Sequence, residues 1–230
     1  MDRRALLSRV PIFASLGERE MDALLAITAT RRLGAKETLF RKGDPASQLY
    51  GVLSGRLKVM AAGKDGKELV FDVMAPGDVI GEIALMDPGP RSASVVALER
   101  SELLTLHRRE LFPFLERHPK LALQLAGVLA RRVRRLSTYA EDSVFLPLPA
   151  RMAKTLLALA ASYGEGAAAG APVDIPLAQQ DLADMVGTTR ESVNKQLRAW
   201  EAEGLVGLKR ARVIVLDRGA LEAISEVVVL

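Results

Sequence analysis

Between Leu39 and Ile80 the apolar residues come in short clusters, some strictly alternating with polar ones, and glycines punctuate the gaps. The clusters are Leu39-Phe40, Leu49-Val52-Leu53, Leu57-Val59, Leu69-Phe71-Val73 and Val79-Ile80, separated by Gly43, Gly55, Gly66 and Gly77. Alternation sends every second side chain to one face of a strand. Short strands joined by tight turns at this spacing predict a small β-barrel or roll. From about Arg109 the period lengthens to three or four, which is helical. The chain has 230 residues and a hydrophobic fraction of 49%, ample for packed cores, and the change of period divides it into two modest domains of an α+β protein.

Residues 81–95 carry the most chemistry. The planar guanidinium of Arg91 can grip phosphate oxygens through paired, charge-assisted hydrogen bonds, and Ser92 beside it adds a hydroxyl and a backbone N–H. Glu82 offers an acceptor to a sugar hydroxyl. Gly81 lets the backbone approach a ligand closely, and Glu82, Ile83, Ala84 and Leu85 can present amide donors to an anion as the first turn of a helix. The run Asp87-Pro88-Gly89-Pro90 then ends that turn. Taken singly, Glu82 and Arg91 also read as a surface ion pair beside a loop; the ordered combination points to a cyclic phosphate.

Composition excludes several other chemistries. With no cysteine there is no disulfide, thiolate-ligated cluster or cysteine nucleophile. The two histidines, His107 and His118, do not form a metal-ligand pair. No apolar run is long enough to span a bilayer, and residues 1–9 reach charged side chains too soon for a signal peptide, so a cytoplasmic location is expected. No constellation of nucleophile, metal cluster or paired carboxylates points to catalysis. The formal charge of +4 permits nucleic-acid binding. From residue 150 onward, however, nine Lys and Arg stand against ten Asp and Glu, a net of −1, so local placement has to carry any contact with DNA.

After a short helical piece bounded by Pro119, a longer helix is predicted to run to about Ser143, with Leu125, Leu129, Val133, Leu136 and Ala140 on one stripe. Flanked by Arg131, Arg132, Arg134 and Arg135, the stripe suits pairing with a second copy of itself; it also suits packing on the roll. The arginines read as a solvated face. Pro147 and Pro149 interrupt helix geometry and mark a hinge over 145–149.

Residues 179–197 fit a helix-turn-helix. Leu182, Ala183 and Val186 form the inner face of a first helix, Gly187 permits the turn, and Val193 and Leu197 anchor the second. Arg190, Glu191, Asn194 and Lys195 then project largely away from the core. Arg190 can pair with guanine O6 and N7, Glu191 can accept from cytosine N4, and Lys195 can reach guanine or phosphate. Gln180, Thr189 and Ser192 suit phosphate contacts. Thr188 and Glu191 also match a capping box, a second use for Glu191. Downstream, residues 205–208 and 212–216 read as strands of a wing, with Lys209, Arg210 and Arg212 at its tip placed to track phosphates. Residues 164–171 read as a flexible connector.

Gly81-Glu82 followed by Arg91-Ser92-Ala93 resembles the phosphate-binding cassette of cyclic-nucleotide-binding domains. Together with the helix-turn-helix, the chain from about Ile12 to about Val215 resembles the CRP/FNR family of bacterial transcription regulators. The resemblance implies a cyclic-nucleotide-binding β-roll over residues 1–118, a dimerisation helix over 119–144, the hinge, and a winged helix-turn-helix over 150–230. Arg91 would neutralise the cyclic phosphate and Glu82 would bind the ribose 2′-hydroxyl. Ser137, followed by Thr138, falls where the long helix touches the purine, while Leu136 replaces a hydroxyl residue there. The implied effector is cyclic AMP, with no other cofactor. The implied partners are a second copy of the chain, double-stranded DNA with TGTGA-like half-sites, and RNA polymerase. The absence of cysteine sets aside the iron–sulfur branch of the family. Cyclic GMP, cyclic di-GMP or no nucleotide are alternative effectors for the same architecture, and a protein-interaction module that senses nucleotide without reading DNA is the alternative of another class.

Overall fold

A computed structural model describes residues 4, 10, 12–64, 66–87, 89–164 and 171–227. Most of the expected connector at 164–171 lies outside the described residues, as does Pro88. The chain divides into two compact units, one of residues 1–61 and 71–135, the other of residues 62–70 and 136–230. No helix among the described residues is long and apolar enough to cross a membrane.

The first unit opens with helix α1 (Glu18–Ala26) and continues as strands β1 (Thr28–Leu33), β2 (Thr38–Phe40), β3 (Gln48–Ser54), β4 (Leu57–Ala62), β5 (Glu68–Met74) and β6 (Val79–Ile80), the end of β4 and the first three residues of β5 falling in the segment 62–70 grouped with the second unit. A one-turn helix α2 (Ile83–Met86) follows, then β7 (Ser94–Ala97) and β8 (Ser101–His107). The strands form two four-stranded sheets, in the orders β1-β8-β3-β6 and β2-β7-β4-β5, the architecture of a β-roll. All five apolar clusters of the sequence lie in β2 to β6. The reason is clearest in β3, which is buried on both faces. Tyr50 and Val52 pack with Leu39, Leu57, Met74, Ile80 and Val95 in one core. Leu49 and Leu53, on the other face, pack with Leu104, Leu106 and the helical layer in a second core. The period of two thus feeds two cores from one strand.

That helical layer comprises α1, α3 (Arg108–Arg117) and the start of α4 (Pro119–Phe145). Leu111, Phe114 and Leu115 of α3 join Leu24 of α1 and Leu121 and Leu125 of α4 in the second core. Leu125, expected on a single stripe facing a second copy, therefore belongs to the core of this unit. Farther along α4 the apolar side chains are uncovered: Val133 is 63% exposed, Leu136 48%, and Val144 and Phe145 more so.

The second unit holds the remainder of α4, then α5 (Leu148–Tyr163), β9 (Val173–Ile175), α6 (Gln179–Val186), α7 (Arg190–Ala202), β10 (Val206–Lys209), β11 (Arg212–Val215) and α8 (Arg218–Ser225). The break after α4 is shorter than the sequence suggests. Only Leu146 and Pro147 are non-helical, while Pro149 sits in the first turn of α5, where its missing N–H is not required by the helix. The sheet order is β10-β11-β9, with Val213 opposite Ile175 and Val206 opposite Val215. Ala153, Leu156, Leu182, Ala183, Val193, Leu197 and Leu221 are fully buried and form the centre of this unit.

Candidate nucleotide and DNA sites

Arg91 is fixed first through its backbone. Its N–H donates to the Asp44 carbonyl (2.9 Å) and its carbonyl accepts from Gly43 N–H (2.9 Å), so the residue is stitched to the loop after β2. Its side chain is then drawn inward to 5% exposure. Nη2 donates to the Gln48 carbonyl at 2.8 Å, and the guanidinium carbon lies 4.1 Å from the centre of the Phe40 ring, a cation–π contact. Gly81 makes this approach feasible. Its φ is +89°, and a Cβ there would meet Arg91 Nη1 and stand 2.9 Å from the Gln48 carbonyl oxygen.

Two donors of Arg91, Nε and Nη1, are buried without a hydrogen-bond partner. Burial pushes the Arg91 pKa below its ordinary value, against the opposing pull of Tyr50, Glu82 and Asp44. A guanidinium stays charged in a protein, so this is a desolvated cation with two N–H groups to satisfy. Glu82, with no exposed surface, complements it, because its Oε2 is a buried acceptor without a partner. Gly81, Glu82, Ile83, Arg91 and Ser92 line a single cavity of about 50 Å³, together with Phe40, Val59, Ile80 and Arg132. Ala84 is not among the residues lining that cavity; it lies inside α2, which Glu82 precedes at the N-cap. Ser137 and Thr138 lie on α4 in the other unit, and both are exposed.

Arg132 was not singled out by the sequence, where it is one of four arginines on an apparently solvated stretch. It is mostly buried, its Nη1 pairs with Glu82 Oε1, and its Nη2 donates to the Val79 carbonyl at 2.6 Å. Arg135 likewise pairs with Asp72 at 3.0 Å. Burial pushes the Asp72 carboxyl up, and Arg135 draws it back down. The arginine stretch is therefore partly a set of anchors onto β5, β6 and the cassette.

In the second unit, α6 and α7 form the helix-turn-helix. Gly187 takes the left-handed conformation, φ +67°, that ends α6. Val193, Leu197 and Trp200 bury the inner side of α7. Thr189, not Thr188, caps this helix, accepting from Ser192 N–H at 3.2 Å, while the two hydroxyls lie 3.0 Å apart. Glu191 is thus not the capping partner, and with Arg190 and Lys195 it is exposed. Arg198, seven residues beyond Glu191 and exposed on the same side, joins that face; the heptad spacing was the available signal. Asn194 differs from expectation, because its Oδ1 accepts from Gln179 Nε2 at 3.3 Å and ties it to α6. Gln180 is exposed but donates to Asp184 at 2.8 Å. At the wing, Lys209 and Arg210 are exposed beside Ala211 at φ +54°. Arg212 instead pairs with Asp174 at 2.7 Å, which leaves two basic side chains at the tip rather than three.

Comparison with known proteins agrees with both halves. Residues 30–118 match the model of the cyclic nucleotide-binding domain, and residues 150–224 that of the Crp-like helix-turn-helix domain. The chain is 32% identical over 212 residues to the CRP-like cAMP-activated global transcriptional regulator of Mycobacterium tuberculosis, covering 92% of this chain and 95% of that one. It is 34% identical over 218 residues to the cyclic AMP receptor protein of Thermus thermophilus, covering 94% and 96%. Among solved structures, the c-di-GMP-responsive global regulator CLP of Xanthomonas campestris superposes with a TM-score of 0.76 at 25% identity, over 87% of this chain and all of that one. A roll with a cation and a carboxylate facing one cavity, followed by a helix-turn-helix, places this chain in the CRP family of cyclic-nucleotide-binding, DNA-binding transcription regulators.

Proposed function

We propose that the protein is a homodimeric regulator whose grip on a palindromic, TGTGA-like DNA site is controlled by cyclic AMP. The observation that carries the ligand reading is the complementarity inside one cavity. Two orphan N–H groups of a buried Arg91 suit the exocyclic oxygens of a cyclic phosphate, and the orphan Oε2 of Glu82 suits a ribose hydroxyl, each satisfying a group that is costly to leave unpaired. Gly81, Ile83 and Ala84 would supply close backbone approach and Ser92 a further donor, with Ser137 and Thr138 the candidates toward the base. Cyclic AMP is preferred because the two relatives named above are described as responding to it.

Leu136 supports cyclic GMP or cyclic di-GMP as the second reading. An aliphatic side chain there removes one hydrogen bond to the base, worth about 0.5–1.5 kcal/mol, and the Xanthomonas regulator responds to a dinucleotide.

Arg190, Glu191 and Lys195 are the proposed base readers, with Gln180, Thr189, Ser192, Lys209 and Arg210 on phosphates. The uncovered stretch of α4 that includes Val133 and Leu136 is the proposed dimer seam. Its pairing would set two recognition helices about 34 Å apart, one turn of B-DNA. RNA polymerase is the proposed downstream partner, and the cytoplasm the proposed location.

The mechanism is a population shift. A nucleotide entering the cavity meets one lining side chain that already holds an oxygen of Glu82. This is Arg132, and it stands on α4. A ribose hydroxyl donating to Oε2 shares the carboxylate whose Oε1 Arg132 holds, and so changes the contacts of the helix leading to the DNA-binding half.

The test is fluorescence anisotropy of a labelled TGTGA palindrome at fixed salt, with and without cyclic AMP, cyclic GMP and cyclic di-GMP. Enhancement by cyclic AMP alone is the expected result. Enhancement by another nucleotide reassigns the effector, and the absence of specific binding under every condition refutes the regulator reading.

A further inference from the structure

The cavity-facing arginine is backed by a chain of polar groups that runs along the sheet. Gln48 is its hub. The Gln48 carbonyl accepts from Arg91 Nη2 at 2.8 Å. Its side-chain Oε1 accepts from the Tyr50 hydroxyl at 2.6 Å, and its Nε2 lies 2.9 Å from His107 Nε2. Because the amide N–H donates, the imidazole nitrogen is the acceptor and the ring proton sits on Nδ1. The strand geometry brings these groups together: Gln48 and Tyr50 are two apart on β3 and share a face, while Gln48 is the register partner of His107 on β8. The Arg91 guanidinium carbon is 5.6 Å from the centre of the Tyr50 ring and 4.1 Å from that of Phe40, so the ring anchored by Gln48 also helps set the plane of the guanidinium.

We propose that Gln48, Tyr50 and His107 form a positioning relay that fixes the Arg91 guanidinium for anion capture, a proposal that rests on the ligand reading above. Core packing does not need these polar groups. Tyr50 is 3% exposed and sits among Leu39, Val52, Ile80 and Val95, where a phenylalanine would pack as well. Replacing both partners of a buried hydrogen bond by apolar groups of similar shape is close to neutral for stability. What the polar chain adds is orientation. The Gln48 side chain is held at both ends, so the ring it anchors keeps one position against Arg91, whose Nε and Nη1 then point in a fixed direction. His107 is the outer end and the weakest link: it is half-buried and lines a second cavity with Ser47, Arg108, Arg109 and Phe112.

The test compares wild type with the double variant Gln48→Leu/Tyr50→Phe, each also in an Arg91→Lys background, titrated with cyclic AMP, cyclic GMP and cyclic di-GMP by calorimetry. The double variant should lose about three- to tenfold in affinity, with its preference among the nucleotides unchanged, because the relay addresses the phosphate and not the base. Its thermal midpoint without nucleotide should stay within about 4 °C of wild type. In the Arg91→Lys background, where no planar guanidinium remains to be oriented, the loss should disappear. Wild-type affinity in the double variant, or a loss of equal size in the Arg91→Lys background, overturns the relay. If the double variant does not fold, Tyr50→Phe alone is read by the same criteria. A wild-type chain that binds none of the nucleotides overturns the ligand reading and the relay with it, whereas wild-type binding with unaffected variants overturns the relay alone.

Discussion

Arg91, the proposed anion-binding group, illustrates how such a group can cost the protein that carries it. Its guanidinium is nearly inaccessible to water, two of its donors are unsatisfied, and burial lowers its pKa. An uncompensated buried cation is destabilising, offset here by the Phe40 ring and the Gln48 carbonyl. Replacing Arg91 by leucine removes the desolvated charge and fills the same apolar surroundings. Arg91→Leu should therefore leave nucleotide-free stability within about 1 kcal/mol of wild type, or raise it, while nucleotide binding is lost. Urea unfolding with and without ligand checks both statements. A loss of several kcal/mol without ligand would mark Arg91 as structural, and retained tight binding would remove it from the site. Gly81 belongs to the same local design, because only a residue without Cβ leaves room for the arginine at φ +89°.

At the scale of elements, α4 serves two environments in turn. Leu121 and Leu125 are buried in the first unit's second core, whereas Val133, Leu136, Val144 and Phe145 have no such cover. Large aliphatic groups that a helix continues to expose after its own core is satisfied mark an interaction site, and in the proposed dimer a second copy would supply an identical, self-complementary stripe. Leu136→Glu should shift the protein toward monomer in sedimentation velocity and weaken binding to a palindrome far more than to a single half-site; an unchanged dimer would place the seam elsewhere. The same helix shows what the sequence makes legible. The 3.6-residue period revealed its existence and length, and Gly187, Val193 and Leu197 located the helix-turn-helix, because local spacing decides both. Strand β8 carries no alternation that would mark it in the sequence, because four consecutive residues, Leu103 to Leu106, are buried. The surroundings of Arg132, Asn194 and Arg212 are not legible in the sequence for another reason. Each is defined by a partner distant in sequence, Glu82, Gln179 and Asp174, and nothing in its neighbours distinguishes it from a solvated polar residue. The Gly81-Glu82 and Arg91-Ser92 pairs were visible because their chemistry is compressed into a dozen residues.

For the whole molecule, the proposed function requires that an anion bound in one unit be felt in the other. Coupling requires contacts that differ between two states, and the proposed candidate is the Arg132–Glu82 pair, because a ligand on Glu82 Oε2 shares the carboxylate that Arg132 holds by Oε1. If the pair holds the nucleotide-free state, then Arg132→Gln, which keeps a donor but removes the charge, weakens that hold. The variant should bind cyclic AMP at least as tightly as wild type when the gain of a released Glu82 outweighs any lost contact of Arg132 with the ligand. Its DNA affinity without nucleotide should rise toward the liganded value, so that the enhancement by cyclic AMP shrinks from a typical 5–150-fold toward unity. Linkage makes the result checkable from both ends: the factor by which nucleotide tightens DNA binding must equal the factor by which DNA tightens nucleotide binding, in wild type and variant alike. The experiment is therefore a square of four dissociation constants for each protein. Equal coupling factors in wild type and Arg132→Gln would show that the signal does not pass through this pair. A smaller factor in the variant, with its DNA affinity at saturating nucleotide unchanged, would place Arg132 between the cavity and the helix that carries the DNA-binding half.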